Sequence, residues 1–196
     1  LKGESGFYEG TTANKIVDLM KARGGLIDHR DLTDFTAPWV EPVRGVFRGH
    51  TIISMPPPSS GGITLLQILK LIEPFDLEGL GLNSANSIHL LTESMNLAYR
   101  DRNQFLGDPD QIDIPVRRLL SRSHIDSLRD QLNLQSHTSA ADLAGQAPLS
   151  SGFNTTHLSV ADRDGSLVAL TTTLNFAYGN GIAVPGSGFL LNNELA

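Results

Sequence analysis

The sequence predicts an α+β fold on two observations: apolar residues recur at helical spacing through residues 12–132, and the period drops to two from residue 155 onward. A polar stretch at 135–154 separates the two regimes and reads as an exposed loop. Ile16, Val17 and Met20 share a face behind Thr12 as cap, with Gly24 and Gly25 as the stop, so residues 12–23 are predicted helical. Pro38 and Pro42 break the next stretch, and Val46, Phe47 and residues 51–55 read as two strands of a hairpin joined at Arg48, Gly49 and His50. The turn-rich run 56–62 (PPPSSGG) then feeds an apolar segment at 63–72, interrupted only by Thr64, Gln67 and Lys70, three residues apart. That spacing predicts a mostly buried helix with one narrow polar stripe.

Residues 84–106 form the longest predicted helix, with Ile88, Leu91, Met95, Ala98 and Phe105 as its apolar stripe, Ser84 or Asn86 as cap and Gly107 as terminator. Residues 123–132 repeat the pattern through Ile125, Leu128 and Leu132. Beyond the loop, Thr156, Leu158 and Val160 alternate with Thr155, His157 and Ser159, and residues 167–174 form a second apolar, Thr-rich run. Asp162, Arg163, Asp164 and Gly165 between them are hairpin-turn residues. A symmetric turn centred near Asp164 places Thr155 opposite Thr173, whereas a bulge at Gly165 would shift the pairing by one residue and change the facing.

A hydrophobic content of 40% with 18% charged residues belongs to a folded globular chain, and the net charge of −6 argues against nucleic acid as a partner. Without cysteine there is no disulfide, no thiolate metal site and no cysteine nucleophile. His29, His50, His89, His124, His137 and His157 lack paired metal-ligand spacing, and Gly179, Asn180 and Gly181 lack the rest of a dinucleotide fingerprint, so neither a metal nor a cofactor is expected. No apolar run approaches the roughly 18–20 residues of a membrane span. Asn154, Thr155 and Thr156 match a glycosylation sequon by coincidence, and Ser59 to Gly62 reads as a helix-start turn in preference to an anion cradle. Both ends read as cuts through a longer chain.

Three segments, in order, carry a resemblance. SMPPPSSGG at 54–62, AYRDRNQFLGDPD at 98–110 and TTHLSVADRDGSLVALTTTLNFAYGNGIAVPGSGFLLNNE at 155–194 resemble gamma-glutamyltranspeptidases, over nearly the whole chain. The resemblance implies part of an N-terminal-nucleophile hydrolase αββα sandwich. Residues 1–154 would be the C-terminal part of a large-subunit region and 155–196 the N-terminal part of a small-subunit region, with self-cleavage between Asn154 and Thr155. Thr155 would then be the nucleophile, and its new α-amino group the base that a neutral hydroxyl needs, since such a group titrates near ~7.7–8.0. Thr173 matches the position whose hydroxyl bonds to the nucleophile, and Asn175 and Glu194 match positions that hold the substrate's glutamyl α-amino end. A γ-glutamyl group would pass from glutathione or a related amide to water or an amino acid through an ester on Thr155.

By the same resemblance, an arginine for the substrate carboxylate, a further acidic residue and the oxyanion-hole glycines lie outside this sequence. The chain alone is therefore expected to be almost inactive without the remaining segments of its parent. The family also implies a periplasmic, secreted or cell-surface location. Two alternatives stay open: an acylase acting on glutaryl or poly-γ-glutamyl amides with the same threonine, and a non-catalytic precursor piece that pairs with a second copy.

Overall fold

The computed structural model describes residues 2–138 and 155–193. In chain order it contains α1 (Ser5–Tyr8), α2 (Gly10–Arg23), α3 (His29–Asp34), β1 (Val43–Phe47), β2 (His50–Ser54), α4 (Gly61–Ile72) and α5 (Leu77–Leu80). There follow α6 (Ala85–Phe105), α7 (Val116–Leu119), α8 (Arg122–Arg129), β3 (Thr155–Ala161) and β4 (Leu167–Thr173). Two compact units divide the chain: Leu1–Pro38 with Leu149–Ala196, and Trp39–Pro148.

In the first unit, α2 buries Ala13, Ile16, Val17, Leu19 and Met20 with Leu32 and Val184, and Tyr8, Ile182, Phe189 and Leu191 pack against them. The predicted face of this helix is therefore the buried one. Gly24 closes α2 in the left-handed conformation. The predicted Thr12 cap is corrected, because the helix starts two residues earlier, at Gly10, and Thr12 lies inside it. The sequence also concealed α3, which begins with a reciprocal capping box: the Asp28 carboxylate accepts from the N–H groups of Arg30 and Asp31, and the Asp28 N–H donates to the Asp31 carboxylate.

The second unit is built around α4. The hairpin of β1 and β2 pairs Val43 with Ser54 and Phe47 with His50, so the turn falls at Arg48 and Gly49 while His50, expected in the joint, opens the second strand, and the first strand begins earlier than expected. Val43, Ile63, Leu66 and Leu119 form one core cluster, and Leu71, Leu97, Ile125 and Leu128 form another. Ser84 caps α6 by accepting the Ser87 N–H at 3.1 Å, and Ser121 caps α8 by accepting the His124 N–H. Helix α6 ends at Phe105 with Leu106 as its cap, one residue ahead of the predicted Gly107 terminator.

Two predicted faces are corrected here. On α6 the buried positions are Leu90, Glu93, Ser94, Leu97, Ala98 and Asp101, whereas Ile88, Leu91 and Met95 of the expected stripe are exposed. On α4 the polar stripe turns inward, since Thr64 and Gln67 are buried and Leu65 is exposed. The physical reason is a polar network between the helices. Gln67 Nε2 donates to Asp101 Oδ2 at 2.8 Å and to the Leu119 carbonyl at 3.2 Å, and His124 Nε2 lies 2.5 Å from the same Asp101 oxygen. Gln67, Asp101 and His124 each find a partner in this network, which lets these polar residues pack inside.

Among the described residues no helix is long and apolar enough to cross a membrane. The Asp101 carboxylate accepts from two helices at once. Asp101→Ala is therefore expected to lower the unfolding free energy by about 2–4 kcal/mol, because the His124 ring and one of the two bonds of the Gln67 amide lose their acceptor, read from the urea midpoint.

Candidate active site

The turn after β3 determines which residues of the hairpin meet. Asp162 Oδ1 accepts from the N–H groups of Asp164 and Ser166, both at 2.9 Å, and the Asp162 N–H donates to the Ser166 carbonyl at 3.0 Å. Gly165 takes φ +87°, a left-handed conformation that costs glycine little and most residues more. The strands leave this turn in the symmetric register, with Thr155 opposite Thr173, Thr156 opposite Thr172 and His157 opposite Thr171. No bulge shifts the pairing, so the register read from the turn position holds.

Side chains alternate along a strand, so positions 155, 157 and 159 share a face with 171 and 173. On that face His157 Nδ1 lies 2.8 Å from Thr171 Oγ1, and His157 Nε2 lies 3.2 Å from Ser159 Oγ. The opposite face carries Leu158, Val160, Val168 and Leu170, all exposed.

Beyond β4 the chain bends through Asn175, which holds φ +71°, a conformation asparagine tolerates better than most residues. Its N–H donates to Thr173 Oγ1 at 2.9 Å, and its side-chain Nδ2 donates to the Asn193 carbonyl at 2.9 Å. Asn193 ties the bend a second and third time, accepting the Phe176 N–H on its side-chain oxygen and donating its own N–H to the Leu174 carbonyl. This hub is not among the residues that the sequence patterns single out. Its available signal was the Asn192-Asn193 pair just ahead of Glu194.

The segment 179–191 folds back on itself. Asn180 and Leu191 bond through N–H and carbonyl at 3.1 Å, and Leu191 donates to Ile182 at 2.9 Å. Lys15 Nζ of α2 donates to the Gly186 carbonyl at 2.6 Å. Gly179 sits against this return, where an added Cβ would lie 1.9 Å from the Leu191 oxygen. The structure thus brings Thr155, Thr173 and Asn175 to one end of one hairpin. Asn154 and Glu194 lie outside the described residues. No group of three or more His, Asp or Glu residues suited to a metal ion occurs among the described residues.

This fold resembles the crystal structure of Helicobacter pylori gamma-glutamyltranspeptidase, with a TM-score of 0.67 and 38% identity, covering 76% of this chain and 44% of that one. The class is thereby set as an α+β N-terminal-nucleophile hydrolase. The sequence matches the family Gamma-glutamyltranspeptidase over residues 1–196, and the chain belongs to that family. The glutathione hydrolase proenzyme of Escherichia coli (strain K12) is 40% identical over 195 residues, 98% of this chain and 33% of that protein. The acylase ACY 1 proenzyme of Pseudomonas sp. (strain SE83) is 36% identical over 195 residues, 99% of this chain and 34% of that protein. The chain spans about a third of the length of the curated relatives it matches.

Two outcomes test this geometry. The bonds from Ser166 first, and then from Asp164, hold the Asp162 carboxyl below its ordinary value, so the folded turn favours the ionised form. That stabilisation is expected in full above the usual carboxylate value, about 4, and is lost as the pH falls from there through the lowered value of the folded turn, read by amide exchange at Asp164 and Ser166. Gly179→Val is expected to push the 179–191 return off its bonds and lower the midpoint of thermal unfolding by several degrees, about 1–3 kcal/mol, because a clash with backbone leaves no flexible atom to move.

Proposed function

We propose that the parent of this chain is a γ-glutamyl transferase and hydrolase that cuts itself between Asn154 and Thr155 and uses Thr155 as its nucleophile. The observation that carries the reading is the pairing of Thr155 with Thr173 at the open end of the hairpin, in a member of this family. In the uncut chain the Thr155 nitrogen is an amide and has no basicity. Once cut, the same nitrogen is an amine bonded to the same Cα as the hydroxyl-bearing side chain, and it can accept the hydroxyl proton as Oγ attacks the γ-amide carbon of glutathione or a similar donor. The leaving amine takes that proton. Water or an amino acid then attacks the γ-glutamyl ester and regenerates Thr155.

Thr173 orders the nucleophile across the ladder, and its own oxygen is held by the Asn175 N–H. Asn175 and Glu194 hold the ammonium end of the glutamyl group, for which a carboxylate is the natural partner. Residues 1–154 and 155–196 belong to the two subunits of the cut protein. The remaining segments of both subunits complete the site, and the protein works in the periplasm, as a secreted protein or at the cell surface. A second reading, an acylase acting on related side-chain amides, is favoured by the likeness to the acylase ACY 1 proenzyme.

In the full-length parent, Thr155→Ala is expected to leave one uncut chain and to lower turnover of a γ-glutamyl anilide by roughly 10⁴-fold or more. Intact-mass spectrometry and the anilide assay read the two effects. A cut that persists in this variant removes Thr155 from the role. A wild-type parent that cuts normally but ignores the anilide and accepts a glutaryl amide is the acylase.

A further inference from the structure

Self-cleavage poses a problem that the acyl-transfer step does not. The amine that serves as base in the mature protein is still an amide nitrogen in the precursor, so the first attack by Thr155 needs another proton acceptor. The hairpin offers one on the same face. His157 is two positions along from Thr155, about 6.5–7 Å away by strand geometry, and its ring bonds to Thr171 and Ser159. Among the residues of β3 and β4 it is the one basic side chain on either face, and the charged residues Asp162, Arg163 and Asp164 lie in the turn at the other end.

The bonding of the ring accommodates either tautomer. A neutral imidazole has one donor and one acceptor nitrogen, and each ring nitrogen here faces a hydroxyl that can play either part. Thr171 is followed two positions on by Thr173, opposite Thr155, so a row of hydroxyls runs from the imidazole to the scissile end of the hairpin. Alternate positions on a strand face lie roughly 6.5–7 Å apart, a gap that a water hydrogen-bonded to both hydroxyls can bridge.

We infer that His157 is a positioning residue for the cut itself: it orders this hydroxyl row and takes up, through it, the proton that Thr155 Oγ loses on attacking the Asn154 carbonyl. The inference rests on the reading of Thr155 as nucleophile. The Oγ–C bond forms as the proton passes along the row to His157. The Asn154–Thr155 C–N bond breaks, and His157 returns the proton to the departing α-amine. Water hydrolyses the resulting ester, giving an Asn154 carboxylate and restoring the Thr155 hydroxyl. Acyl transfer in the mature protein, which has its own amine, does not need His157.

The test uses the full-length parent. In His157→Ala the rate of appearance of the two chains is expected to fall by about 10²-fold or more, the low end of general-base effects, and added imidazole is expected to restore part of it. His157→Asn, which keeps a hydrogen-bonding side chain but no basic nitrogen, is expected to cut as slowly as His157→Ala. Protein of either variant that has finished cutting is expected to turn over a γ-glutamyl anilide at the wild-type kcat. Cutting at the wild-type rate in His157→Ala overturns the inference. So does a normal rate in His157→Asn, which would leave His157 a spacer, or an equal loss of cutting and kcat. If His157→Ala does not fold, by circular dichroism, His157→Asn decides alone. Cutting that persists in Thr155→Ala refutes the underlying reading of Thr155 instead, a separate result.

Discussion

A single carboxylate, that of Asp162, closes the turn on which the geometry of the hairpin depends. By accepting from two backbone N–H groups it holds a short symmetric loop, and the symmetry of that loop places position 155 opposite position 173. Strand side chains alternate with period two, so a slip of one residue would send every side chain of β3 to the other face. The hydroxyl face would then carry Leu158 and Val160. The chemistry proposed for Thr155 is therefore conditional on a turn seven residues away that touches none of the reacting atoms.

The bend after β4 is held differently. Asn175 adopts a left-handed backbone, and three hydrogen bonds to Asn193 hold the bend there. Asn193 adjoins Glu194 in sequence, so the bonds that fix Asn175 also fix where the chain leaves toward the second residue proposed to hold the substrate. The hydrophobic core under α2 supports this arrangement from below, through Ile182, Val184, Phe189 and Leu191. Hydrogen bonds set direction, and the apolar contacts supply most of the stabilisation, at about 1.5–3 kcal/mol per buried large side chain.

The elements that were legible in the sequence are those decided by short-range rules. The α2 stripe, the Gly24 stop, the Ser84 cap and both hairpin turns follow from neighbouring residues, and so does the Thr155–Thr173 register. The faces of α4 and α6 were not legible, because burial there follows partners distant in sequence: Gln67, Asp101 and His124 look like surface residues until each is placed beside the others. Helix α3 was missed although its capping box was readable at Asp28 and Asp31, since six residues give too little periodicity to draw attention. Of the proposed site, Thr155 and Thr173 come from resemblance together with register, and Asn175 from resemblance alone. A lone histidine in a strand shows no local sign of chemistry until the register sets it on the face of Thr155, and the signal for Asn193 was no more than its place in the Asn192-Asn193 pair.

The distribution of the core bears on what a cut before Thr155 would do. The first unit is assembled from two stretches, Leu1–Pro38 and Leu149–Ala196, and the proposed scissile bond separates α2 from the segment that packs on it. After the cut, Ile16, Val17 and Met20 belong to one chain, and Val184, with Ile182, Phe189 and Leu191 against it, to the other. Their contacts are apolar and do not depend on the lost peptide bond. Lys15 and Gly186 add a hydrogen bond across the same divide. Loop-closure entropy changes only with the logarithm of loop length, so losing one covalent connection weakens the unit far less than losing the core would. A chain built this way can generate a new terminus at Thr155 and keep that terminus in register with Thr173, because what holds β3 against β4 is the turn at Asp162, on the same side of the cut as both strands.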